Sequence, residues 1–162
     1  MNSLGVTDLE QDSHRNSSRN LQLTHRTFIH ADSMQVYTAL TTSDGLDAWF
    51  TTGSNVNAVP GAEIHFRWDN WGPDHISTED AGMVLEAIPP VRFVFQWHPE
   101  LPEYATTVEI NLTPTDGGTI ISLNESGFAD TPSGIAALAS CAAGWGEALT
   151  LLKFYIEHGL HY

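Results

Sequence analysis

The chain has 162 residues, with 20 Asp and Glu against 6 Lys and Arg, 8 His and one Cys. Five Trp, seven Phe and four Tyr exclude a wholly disordered chain, and the lone Cys141 excludes an internal disulfide framework. One domain is the expectation at this length. The net charge of −14 reflects missing bases, because charged residues are only 16% of the chain, against about 25% in ordinary soluble proteins. Such a surface repels polyanions, so neither nucleic acid nor an anionic membrane is an expected partner. No apolar run reads as the ~18–20 residues of a membrane span. The N-terminus carries Asp8, Glu10 and Asp12 and no secretory apolar core, so a cytoplasmic protein is expected.

Residues 1–20 are polar and rich in Ser and Asn, and read as a mobile tail; residues 21–162 read as the folded unit. LQLTHRTFI, from Leu21, has the pattern of a first strand. Asp32-Ser33 is an N-cap for the helix MQVYTALT, and Thr42-Ser43-Asp44 caps a second short helix ending near Trp49-Phe50. After the turn at Pro60-Gly61, AEIHFRWD alternates strictly, with Ile64, Phe66 and Trp68 on one face. Ile76 to Ala87 is a weaker strand, closed by Pro89-Pro90. Val91, Phe93, Phe95 and Trp97 share a face of the next one, as do Val108, Ile110 and Leu112 of the strand after it. Thr115-Asp116-Gly117-Gly118 is the strongest hairpin signal.

Short turns between consecutive strands require an antiparallel sheet, and clean alternation leaves one face buried. The cover for that face is a long helix from Ser133 to His158. Its stripe runs through Ile135, Leu138, Ala142, Trp145, Leu149, Leu152 and Ile156. The expected class is therefore α+β.

Around Trp145 this helix carries Ala139, Ser140, Cys141, Ala142, Ala143, Gly144 and Gly146. Small residues there allow close packing or a bend, and equally leave a hollow between helix and sheet. Aromatics at period two are core by default, yet so many rings facing small residues also suit an apolar cavity. An apolar small molecule is accordingly one expected partner. In this reading Trp145, Leu149 and Leu152 form the lid, Phe66, Trp68, Phe95 and Trp97 the floor, and Trp49 and Phe50 the rim.

Signals for chemistry are thin. No nucleophile elbow, phosphate loop or dinucleotide fingerprint occurs, and Cys141 among alanines reads as an inert small hydrophobe. Asp74-His75 with Glu79-Asp80 is the one cluster that could collect a cation, but acidic loops make such clusters by chance. Neither a metal nor a cofactor is expected. An enzyme is the less favoured reading, and it would rest on His25, Asn124 or Glu125 as a polar group in the cavity.

The order of these parts resembles the SRPBCC superfamily, and within it the activator of Hsp-90 ATPase homologue-like family. The carrying residues are Phe28, the run Val36 to Thr41, Leu46, Trp49-Phe50, Pro60-Gly61, Gly82 and Pro89 to Phe93. Thr107-Val108, Gly118-Thr119 and Gly144-Trp145 through Leu149 and Leu152 complete the match, which spans roughly Leu21 to His158. The resemblance implies a helix-grip fold: a curved antiparallel sheet of six to seven strands wrapped on a long C-terminal helix, with two short helices after the first strand. In the eukaryotic co-chaperone of this family a separate preceding domain does most of the chaperone activation, and its Asn- and Trp-rich motif does not occur here. The resemblance therefore implies a fold and a cavity more than chaperone activity. A chaperone or another basic protein is the alternative partner, with a monomer or homodimer as the expected state.

Overall fold

The period-two segments pair in sequence order, and their register places one apolar face inward. The computed structural model describes residues 19–99 and 104–162. Its strands are β1 (Leu21–Ile29), β2 (Asn55–Val56), β3 (Glu63–Trp71), β4 (Ile76–Ile88), β5 (Arg92–Trp97), β6 (Thr106–Thr115) and β7 (Gly118–Phe128). Helices α1 (Ser33–Thr41) and α2 (Ser43–Asp47) follow β1, and α3 (Pro132–His158) ends the chain. All seven strands form one antiparallel sheet in the order β1-β7-β6-β5-β4-β3-β2. This is the expected helix-grip architecture, with the short β2 as the seventh strand.

Local chemistry sets the boundaries. Asp32 caps α1 by accepting from the backbone N–H groups of Met34 and Gln35 at 3.0 Å each. The β6–β7 hairpin closes on Thr115↔Gly118, with Gly117 at φ 80°, a conformation glycine adopts without steric cost. The second helix stops at Asp47, earlier than its expected end near Trp49-Phe50. Those two residues instead form a turn held by Phe50 N–H to Leu46 O at 2.8 Å. The expected tail, residues 1–20, lies outside the described residues except for Arg19 and Asn20. Arg19 is bound to Asp130, which accepts from its backbone N, Nε and Nη2 at 3.1–3.2 Å.

The inward face carries Ile64, Phe66, Val84, Phe93, Phe95, Val108, Ile110, Ile121 and Leu123, all buried. On the outward face Arg92 donates to Glu86 (2.7 Å), Asn111 (2.8 Å) and Glu109 (3.1 Å), tying β4, β5 and β6 together.

Helix α3 departs from the expected stripe in its first half. Ile135 is 45% exposed, and Leu138 and Ala142 are only half-buried, while Ala137 and Cys141 face inward. Helix and sheet approach closely here: His25 of β1 reaches the Ala142 carbonyl at 2.9 Å, and a Cβ on Gly146 would lie 3.4 Å from its ring. From Trp145 through Leu149 and Leu152 the stripe is as expected. The expectation that no segment could cross a membrane also needs correcting. By length and composition α3 qualifies, with a mean hydropathy of 1.5 over its most apolar stretch. Its Ala, Gly and Cys residues escape notice as an apolar run because they are small. In this fold the helix lies on the sheet.

Candidate functional site

Two tryptophans from distant parts of the chain meet over one buried carboxylate. Trp97 ends β5, directly opposite Thr106 at the start of β6; Glu125 of β7 lies opposite Val108, two residues on from Thr106 along the same face. Alternation aims all of these side chains inward, toward Trp145 of α3. Glu125 is fully buried, at 0% exposure. Its Oε1 accepts from Trp97 Nε1 at 2.9 Å and from Thr106 Oγ1 at 2.6 Å, and its Oε2 accepts from Trp145 Nε1 at 2.7 Å. Burial pushes the carboxyl pKa above its ordinary value, while the three hydrogen bonds pull it down; burial prevails.

The clamp holds the two indoles in an aromatic cluster. Phe50 stacks on Trp145 with ring centroids 5.6 Å apart, and Trp97 lies 5.6 Å from Trp145. Trp68 meets Phe50 edge-on at 5.4 Å and Trp97 at 6.5 Å. Its Nε1 donates to the Phe50 carbonyl at 2.6 Å, which pins the turn after α2 to β3.

On one side of this cluster opens a cleft of about 260 Å³ between α3 and the β3–β4 end of the sheet. Phe50, Trp68, Trp71, Trp97 and Trp145 supply the aromatic wall, with Ile76, Thr78 and Pro99 beside them. Ser140, Cys141, Gly144 and Glu147 of α3 complete it. On the other side the space beneath the helix is filled. The void among Leu40, Leu46, Trp49, Phe50, Ile64, Phe66, Phe93, Phe95, Ile110 and Trp145 is about 10 Å³, room for one water at most. The expected deep cavity is therefore replaced by a cleft at its mouth, because the Phe50–Trp145 stack closes the interior.

Of the residues read as a site, Phe50, Trp68, Trp97 and Trp145 come together at the cleft. Trp49, Phe66, Phe95, Leu149 and Leu152 lie in the closed core, each at 3% exposure or less. Trp71 was not anticipated. The β3–β4 register shifts between Trp68 and Trp71, and Asn70 takes φ 53°. That irregularity turns Trp71 to the face that strict alternation denies it. Its Nε1 is buried and has no hydrogen-bond partner among the described residues. The two helix glycines have separate roles. A Cβ on Gly146 would lie 3.4 Å from the His25 ring, whereas one on Gly144 would meet nothing within 4 Å. Close packing explains the first, and the cleft opens beside the second.

The polar candidates for catalysis are engaged in other contacts or face away from the cleft. His25 is bound to the Ala142 carbonyl, and both oxygens of Glu125 serve the clamp. Asn124 alternates to the opposite face of β7 from Glu125. His75 pairs with Asn70 through Nδ1, and Asp80 accepts from the backbone N–H of His98. Among the described residues no group of three or more His, Cys, Asp or Glu is placed to hold a metal. A larger recess of about 790 Å³ runs between α1, α2 and the end of α3, past Met34, Thr38, Tyr155 and Ile156. It has one aromatic residue, Tyr155, in its wall, so the smaller cleft is the better candidate despite its size.

Comparison with known proteins agrees with this architecture. No curated protein matches the chain. The solution structure of the Aha1 dimer from Colwellia psychrerythraea is 27% identical, over 86% of this chain and 98% of that one, with a TM-score of 0.71. A Rhodobacter sphaeroides crystal structure is 25% identical, over 83% of this chain and 91% of that one, with a TM-score of 0.70. DynU16, a putative protein in the dynemicin biosynthetic locus, shares the fold at 20% identity and a TM-score of 0.74; the match covers 87% of this chain and 49% of that one. The family described as Activator of Hsp90 ATPase homolog 1-like protein matches residues 30–157. The chain belongs to that family.

Proposed function

We propose that this protein binds a hydrophobic small molecule in the cleft walled by Phe50, Trp68, Trp71, Trp97 and Trp145. The observation that supports this reading is the unfilled space of about 260 Å³ beside five aromatic side chains, in a fold whose interior is otherwise packed. Burying ~200 Å² of apolar ligand surface contributes ~5 kcal/mol before association costs, which suits micromolar binding. The test is titration with the neutral probe N-phenyl-1-naphthylamine, following probe enhancement and tryptophan quenching. The wild type should respond saturably, and Gly144→Leu, which places a side chain in the open space beside Gly144, should lose the response while unfolding at a similar temperature. A silent wild type, or a variant that binds as well, overturns the reading.

A second reading, association with a protein partner, draws on the Colwellia structure, whose description is of a dimer. A homodimer, or a complex with a basic protein recognised by the −14 surface, is its form here. Light scattering at low and high salt tests the first, and a salt-sensitive partner captured from the host tests the second.

A further inference from the structure

We propose that the aromatic cleft selects a cationic guest: a small apolar or aromatic molecule bearing an ammonium group. This rests on the reading of the cleft as a ligand site. Among the described residues its wall joins five π-systems, four of them indoles, to one carboxylate, that of Glu147. Glu147 is exposed and pairs with no base among the described residues. Among the described residues no Lys, Arg or His lines the cleft. Behind the wall the charge logic is the same, because Glu125 holds the N–H groups of Trp97 and Trp145. In either protonation state Glu125 brings no positive charge.

The bases that flank the cleft residues in sequence are committed elsewhere: Arg67 faces Asp69 at 3.5 Å, and His98 Nδ1 lies 3.1 Å from the Ala81 carbonyl. Lys153 donates to the Phe28 carbonyl at 2.9 Å and faces Glu157, two turns beyond Trp145 on α3. His75, next to Ile76 of the cleft, is tied to Asn70.

An ammonium group against indole faces is attracted by the ring quadrupole, most strongly where water is excluded, and Trp is the best ring for it. A carboxylate at the rim adds Coulombic attraction and speeds encounter. An anion in the same place meets repulsion from Glu147 and from the whole −14 surface. The donors in the wall for it are the buried Trp71 Nε1 and the hydroxyls of Thr78 and Ser140. A neutral apolar guest is tolerated without being preferred.

The experiment uses the full chain and three compounds of one size: phenyltrimethylammonium, its neutral isostere tert-butylbenzene, and benzenesulfonate. Each competes against N-phenyl-1-naphthylamine at low salt. The cation should bind about tenfold tighter than the neutral isostere, and the sulfonate should not compete. Glu147→Gln should weaken the cation roughly threefold and leave the neutral isostere unchanged, and added salt should do the same. If the neutral compound binds as tightly as the cation, charge selection is wrong while the apolar cleft stands. If the naphthylamine probe binds and none of the three displaces it, charge selection is likewise refuted. If neither the probe nor any of the three binds, the cleft is no ligand site and both readings fall together.

Discussion

Replacing Glu125 by Gln probes the centre of the site in a way that separates two opposing forces. The wild-type carboxyl satisfies three donors, two of them indole N–H groups that can only donate. An amide in its place has one acceptor oxygen. Whichever way it lies, one buried indole N–H faces an NH₂ group and loses its partner, at a cost of ~1–3 kcal/mol. That cost should not vary with pH, because Gln does not titrate. The wild type does vary. Its folded carboxyl binds a proton more tightly than the unfolded one, whose ordinary pKa is 4.5, since burial raises the folded value. The stability this contributes is present below the unfolded pKa and is lost as pH rises through the folded one. The gap between wild type and E125Q should therefore be widest at the acid end and narrow with rising pH. Urea unfolding of both proteins across a pH series, followed by tryptophan fluorescence, measures it. Every other titrating group is shared, so the difference isolates residue 125. A gap that widens with pH would show that the hydrogen bonds outweigh burial, and no gap at any pH would refute the clamp as a source of stability.

Four further substitutions test the local arguments by urea denaturation. Gly144→Ala should stabilise by ~1 kcal/mol, because the new Cβ meets nothing and an interior helix glycine is removed. Gly146→Ala should fall short of that gain, because its Cβ would press on the His25 ring at 3.4 Å. Asp32→Ala should cost ~1 kcal/mol by freeing the Met34 and Gln35 N–H groups, with loss of helix signal as the accompanying readout. Gly82→Ala should cost ~1–3 kcal/mol or prevent folding, since its Cβ would lie 1.8 Å from the Gln96 carbonyl oxygen.

The sheet was legible because alternation is a property of short segments. Ile64, Phe66, Phe93, Phe95, Val108 and Ile110 read as inward from neighbours two residues away, and inward they are. The caps of α1 and of the β6–β7 hairpin were legible for the same reason, since Asp32 and Gly117 act within three residues. The site was only half legible. Phe50, Trp68, Trp97 and Trp145 could be named from their faces. Trp71 could not, because a register break reverses its direction, and only the run of two tryptophans around Asp69-Asn70 hinted at it. The first half of α3 misled through Ile135 and Leu138, whose spacing fitted the stripe, while Ala137 and Cys141 hold the buried side.

Which side chains point inward is decided by dihedral period and local hydrogen bonding, and both are written in adjacent residues. Whether the space they face is occupied depends on volumes supplied from far along the chain. Phe50, 95 positions before Trp145, stacks on it and seals the interior, and Glu125 draws Trp97 and Trp145 onto one carboxylate. No local pattern encodes that sum of volumes, so the line between solid core and open cleft emerged only once the elements had packed.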